Sequence, residues 1–136
     1  MERLLTREEF KVLVFKRDKH TCVVPKCGRP AVDAHHILDR KLFKDGGYYL
    51  ANGASLCGAC HWDAETGVIT VEQVREYSKI EIVILPPGFN PRFTYDKWGN
   101  SYHAVDHGTK AMKGPLFHDA GVQKILKQTG RIRYFF

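Results

Sequence analysis

Asp33-Ala34-His35-His36-Ile37 and Asn52-Gly53-Ala54-Ser55-Leu56-Cys57-Gly58-Ala59-Cys60-His61 are the two stretches on which the reading of this chain turns. Three of its seven histidines fall between residues 35 and 61, and all four of its cysteines lie in or just before that span, as Cys22/Cys27 and Cys57/Cys60. Histidine and cysteine are the side chains proteins use for metal binding and proton transfer.

Each cysteine pair alone is a weak signal. Together, Cys22-x4-Cys27 and Cys57-x2-Cys60 have the spacing of two knuckles of a four-cysteine structural zinc site, in which each knuckle supplies two thiolates to a tetrahedral ion. Pro25 and Gly28 suit the tight loop of the first knuckle. Such a site would join the exit of the first helix to the start of the helix at Cys57 and close the segment carrying the two histidines. It would contribute folding energy on the order of 10 kcal/mol. No thioredoxin-like pattern surrounds Cys57-Gly-Ala-Cys60, which argues against a redox role.

His35 and His36 fall on an expected strand over residues 31–38. Adjacent strand residues point to opposite faces, so the two take different roles. His61 lies one residue past Cys60 on an expected helix over Cys57–Glu65, where Cys57, Cys60 and His61 share a face at i, i+3, i+4. Asp33 is two residues from His35 on the same strand face; it could orient His35 through its other ring nitrogen, assist a metal, or be a surface residue.

Working outward, Thr6 with Glu9 is a capping box opening a helix over residues 6–19, with Phe10, Leu13 and Val14 on its apolar stripe and Lys16, Arg17 and Lys19 at a solvated C-terminal end. Residues 39–50 read as a polar loop turning at Gly46-Gly47, with Tyr48-Tyr49-Leu50 as a return strand and Asn52-Gly53 as a turn. Thr70 with Gln73 caps a helix over 71–79. The β-branched run Ile80–Leu85 reads as a strand, ended by Pro86-Pro87-Gly88. Residues 89–118 read as loops with a hairpin around Trp98-Gly99-Asn100, and Asp119 caps a last helix that Gly130 ends. The three aromatics at residues 134–136 are expected to pack on the domain or to lead into further chain.

The chain has 136 residues, 43% of them hydrophobic and 26% charged, which are values of a globular chain. It carries no apolar run of membrane-span length, and its charged N-terminus does not resemble a signal peptide. The expectation is a soluble, cytoplasmic protein without membrane association, in which four cysteines favour metal over disulfides. Its net charge is +6, which suits a polyanionic partner, nucleic acid first. The positive charge concentrates in residues 108–136 and around the histidines, where Arg40, Lys41 and Lys44 follow His36 and are either candidate phosphate contacts or solvated loop charges; residues 62–85 are net negative. His103 and His107, four apart, read as surface residues because Gly99, Asn100 and Gly108 argue against a helix there.

Taken together, the residues resemble a known family. Asp33-Ala-His35-His36-Ile37 followed by Asn52-x-x-x-Leu-Cys57-x-x-Cys60-His61 is similar to the motif of the HNH endonucleases, and Cys22/Cys27 resembles their zinc-containing branch. The likeness covers residues 20–67. It implies an α+β protein: a ββα-metal core stapled by a four-cysteine structural zinc site, with flanking helices and a mostly irregular basic C-terminal segment. Residues 1–85 would form the nuclease domain and 86–136 a basic extension of unassigned role. By resemblance His35 and His61 would hold one catalytic divalent ion, His36 would be the general base, and Asn52 would brace the loop and orient that base. Many family members have an acid where this chain has His35. Imidazole ligands suit zinc, nickel, cobalt and manganese better than magnesium, so magnesium alone is disfavoured.

The activity so implied is metal-dependent hydrolysis of DNA, as nicking or double-strand cleavage, with a phage, mobile-element or bacterial source and a place in a larger nucleic-acid-processing assembly as further expectations. The alternative is a non-catalytic zinc module that binds nucleic acid or protein. For the tail, Trp98, Tyr102, Lys110, Lys113, Lys124, Lys127, Arg131 and Arg133 could track DNA with interleaved aromatics, form an ordinary basic helix, or dock a further domain.

Overall fold

A computed structural model describes residues 2–105 and 108–136; His107 and Met1 lie outside the described residues. The chain is mixed α and β, with four helices and two small antiparallel sheets among these residues. Among them, no helix is long and apolar enough to cross a membrane.

Helix α1 (Arg7–Arg17) begins with the expected capping box, in which Thr6 and Glu9 each accept the other's backbone N–H. Phe10 and Val14 bury its inner face. Its C-terminal end differs from expectation. Arg17 is largely buried: its guanidinium donates to the Leu50 and Gly53 carbonyls and pairs with Asp18, whose carboxylate accepts from Ser55 N–H. These bonds satisfy carbonyls that a strand edge would otherwise leave open, and they fasten α1 across the histidine-bearing sheet.

That sheet pairs β1 (Asp33–His36) with β2 (Gly53–Leu56), so that His36 lies opposite Gly53 and Asp33 opposite Leu56. The return strand is therefore 53–56 rather than Tyr48–Leu50. Leu50–Asn52 forms a 3-10 turn instead, and Gly53 extends the strand rather than turning the chain. Packing gives the reason. A Cβ at Gly53 would fall 2.5 Å from Val14 and 2.7 Å from Phe10, so glycine is what lets α1 lie against β2. Gly46 and Gly47, both at positive φ, make the expected bend in the loop, and a further 3-10 turn, Arg40–Leu42, is capped by Asp39.

After β2 come α2 (Gly58–Glu65) and α3 (Val71–Tyr77), the latter opened by the Thr70/Gln73 capping box. Residues 80–85 form no strand. The run is apolar because Ile80, Ile84 and Leu85 pack against the main core, which also contains Ile37, Leu38, Leu56, Cys57 and Val74; Ile82 points out, 81% exposed. Its β-branched composition thus reflects packing without pairing.

The C-terminal part is more regular than its glycine and proline content suggests. The hairpin expected around Trp98–Asn100 is present and belongs to a three-stranded meander of β3 (Thr94–Tyr95), β4 (Ser101–Val105) and β5 (Gly108–Met112). Asp96 organises its first turn: the buried carboxylate accepts from the Trp98 and Asn100 N–H groups, the Asn100 amide and the Tyr102 hydroxyl. Helix α4 (Ala120–Gln128), capped by Asp119, buries Val122 and Leu126 against Trp98 and Phe117. Gly130 then turns the chain at φ 75° into a 3-10 turn, Arg131–Phe135. Of the terminal aromatics, Phe135 packs 4.7 Å from the Phe117 ring while Phe136 is exposed.

Candidate metal centres and cleft

The four cysteines converge. The Cys57 and Cys27 sulfurs are 3.7 Å apart and Cys60 and Cys27 4.0 Å, and all four sulfurs lie within 4.8 Å of one another as free thiols. A tetrahedron of Zn–S bonds has edges of about 3.8 Å, so these four residues could hold a structural metal such as zinc. The second knuckle is built by the helix start: Cys57 caps α2, accepting the Cys60 N–H on its sulfur. That bond is the main cause of a Cys57 thiol drawn down to about 7, the direction a metal thiolate needs.

The cluster places α2 directly over β1, and His61 over His35, with ring centroids 5.2 Å apart. Glu65, one turn further along α2, joins them. Its Oε1 is 3.2 Å from His61 Nε2 and 3.4 Å from His35 Nδ1, and donor atoms of His35, His61 and Glu65 lie within 4.8 Å of one another. Metal bonds to nitrogen and oxygen of roughly 2.0–2.1 Å give tetrahedral edges of about 3.3 Å. Among the described residues buried His35 Nδ1 makes no well-formed hydrogen bond, its contact being Glu65 Oε1 at 3.4 Å, so it is available to an ion. The donor set therefore fits a metal, and two imidazoles with one carboxylate leave further coordination positions free. Glu65 is absent from the ligands that the sequence motif suggests. Its signal there is the i, i+4 spacing from His61, which puts both on one helix face.

The surroundings tune the trio. Asp33 does not orient His35. Its Oδ2 is 2.9 Å from His61 Nδ1, leaving Nε2 to face the cluster. With carboxylates at both nitrogens, Glu65 first and Asp33 second, His61 is held above the ordinary histidine range. Burial works against ionisation of Glu65, but His35, His61 and Lys97 outweigh it and hold its carboxyl well below the usual range. Burial is also the main reason that His35 is lowered to about 4.

His36 points to the other face of β1, as alternation requires. Its ring stacks on Phe10 at 4.6 Å and meets the Tyr48 ring edge-on at 4.8 Å. Desolvation, followed by the neighbouring charges, lowers it to about 4, so it is neutral near pH 7. Both histidines nevertheless line one cleft of about 700 Å³ together with His61, Glu65 and Lys97. Asn52, 1% exposed, does not line it. Its side chain accepts from Leu38 N–H and donates to the Leu38 and Gly47 carbonyls. It braces the backbone just past His36, and among the described residues it makes no hydrogen bond to the His36 ring.

The cleft rim carries four cations, Arg7, Lys11, Arg40 and Lys41, against the carboxylates of Glu8 and Asp39. Arg40 and Lys41 line it as expected, whereas Lys44 does not; Arg7 and Lys11, from the first turns of α1, line it instead. Arg7 and Lys11 are one helical turn apart, a spacing readable only once α1 is known to flank β1. Lys41 also reaches Asp119 at 3.4 Å. His103 is not at the cleft. It packs edge-on to Phe93, and its Nε2 is buried rather than at the surface. Comparison of the chain with family models, curated proteins and solved structures returns no match.

Proposed function

We propose that this chain is an HNH-type nuclease with a ββα-metal core, a structural zinc at Cys22, Cys27, Cys57 and Cys60, and one catalytic divalent ion held by His35, His61 and Glu65. The observation that carries this reading is the pairing, in one basic cleft, of a three-ligand open metal trio with a separate, neutral histidine on the adjacent strand position.

Phosphodiester hydrolysis needs an activated water, charge stabilisation at phosphorus and relief of the leaving oxygen. His36, neutral at pH 7 and backed by Phe10, takes the proton from water as general base. Arg7, Lys11, Arg40 and Lys41 hold the flanking phosphates. Asn52 keeps the segment after His36 in place. A bound divalent ion supplies Lewis-acid stabilisation of the phosphate and of the departing oxygen. The imidazole-rich ligand set favours manganese, cobalt, nickel or zinc over magnesium.

Supercoiled plasmid incubated with the protein across a panel of divalent ions tests the activity, with nicked and linear products read on one gel. Cleavage is expected, and His36→Ala is expected to lower it by a factor on the order of 10²–10⁴ while zinc content and fold persist. Undiminished cleavage by His36→Ala would remove the base assignment. No cleavage with any ion would leave a nucleic-acid-binding module as the function.

A further inference from the structure

Lys97 belongs to the turn between β3 and β4, far in sequence from the histidines, yet it is 6% exposed and faces the metal trio. Its carbonyl accepts the Asp39 N–H at 2.8 Å, which fastens the turn to the segment following β1. Its ammonium lies 2.6 Å from Glu65 Oε2. The other carboxylate oxygen, Oε1, is the one that faces His35 and His61. The two oxygens of Glu65 therefore face different partners.

A carboxylate can give a metal ion one oxygen or both. Giving both would consume a coordination position that hydrolysis needs for water or substrate. We propose that Lys97 is a positioning residue that commits Glu65 to single-oxygen ligation, so that the C-terminal meander is part of the catalytic centre rather than an appendage. The proposal rests on the nuclease reading of the cleft. Tethering alone does not account for the lysine: the backbone bond to Asp39 already tethers the turn, and an apolar side chain would avoid the cost of withdrawing an ammonium from water. An ammonium 2.6 Å from Glu65 would also repel a dication held by the trio and weaken metal binding. A cation retained at that place trades ion affinity for an open coordination sphere.

The test uses the protein carrying one zinc per chain, at the cysteine site, titrated with cobalt(II) and read by calorimetry and by visible absorption, which reports coordination number independently of cleavage. Lys97→Met is expected to bind cobalt about tenfold more tightly because a like charge near the ion is removed, with weaker visible bands as Glu65 supplies its second oxygen and with reduced competition from inorganic phosphate. Lys97→Arg, which keeps the charge, is expected to retain the spectrum of the unaltered protein. If Lys97→Met keeps the affinity and spectrum of a wild type that does bind cobalt at the trio, the Lys97 assignment is overturned and the nuclease reading stands. If the wild type binds no ion beyond its zinc, both are overturned. Should Lys97→Met lose its zinc or its fold, a crystal structure of the cobalt-loaded wild type decides: one Glu65 oxygen on cobalt with Lys97 on the other supports the proposal, and two on cobalt overturns it.

Discussion

Asp33 Oδ2 stands 2.9 Å from His61 Nδ1, so a strand residue fixes which nitrogen of a helix residue faces the metal trio. A carboxylate behind a metal-binding imidazole sets its tautomer and raises its basicity. Asp33→Ala is therefore expected to weaken cobalt or zinc binding at the trio by roughly 10–100-fold, while the cysteine site keeps its full zinc. Calorimetric titration of the zinc-loaded protein checks this; an unchanged affinity would reduce Asp33 to a surface charge.

The cysteine site predicts a different response. Cys22 and Cys57 are buried in the main core, so loss of the ion leaves thiols whose sulfurs crowd one another without a centre. Cys27→Ser or a strong chelator is expected to remove a contribution on the order of 10 kcal/mol, enough to abolish cooperative thermal unfolding. Circular dichroism melts with zinc quantified by atomic absorption measure it, and a chelated protein with an unchanged melt would rule out a structural role.

The basic rim separates two groups of charges that look alike in sequence. Arg7, Lys11, Arg40 and Lys41 line the cleft and Lys44 does not. Each phosphate contact removed is expected to lower the salt dependence of DNA binding by about one unit in the log–log slope. Arg7→Ala combined with Lys11→Ala should lower that slope, and Lys44→Ala should leave it unchanged. Fluorescence anisotropy across a salt series distinguishes them.

Acid stability follows from the desolvated His36. His36 is lowered to about 4 from an ordinary 6.5, so between those values the unfolded chain binds a proton that the native one excludes. Stability therefore falls as pH drops through that window. Glu65, held low, adds a loss in the same direction once pH passes below the ordinary carboxylate range. His61, held high, acts oppositely: its contribution is complete below its unfolded value and declines as pH rises. His36→Phe, which keeps the aromatic slot between Phe10 and Tyr48, is expected to flatten the decline between an ordinary 6.5 and about 4 in urea titrations of protein with zinc at the cysteine site alone. A slope unaltered from wild type would show that His36 titrates normally.

The sequence displays what depends on local spacing and conceals what depends on approach. Capping boxes at Thr6 and Thr70, the cap at Asp119 and the cysteine knuckles are patterns within a few residues, and each is present in the fold. The strand at Gly53–Leu56 is hard to place because Asn52-Gly53 has the chemistry of a turn; the deciding fact, the closeness of Phe10 and Val14, comes from a helix far earlier in the chain. Ile80–Leu85 has strand propensity and pairs with no strand. The meander's first turn is legible in Trp98-Gly99-Asn100, but its strands are not: the Asp96 carboxylate that ties the turn finds its partners only on folding. Of the site, the histidines and cysteines are legible. Glu65 is readable from helical spacing, while Asp33's true partner and the whole role of Lys97 require the tertiary structure.

The origin of Lys97 also gives the site an order of completion. A chain leaving the ribosome N-terminus first presents all four cysteines and the full metal trio once Glu65 has emerged. The strand that closes the meander behind Lys97 ends only at Met112. For the interval between, the nascent protein holds the trio without the Lys97 ammonium at Glu65. If Lys97 acts as proposed, assembly of the meander would be the event that completes the centre, tying competence to closure of the second sheet rather than to arrival of the ion.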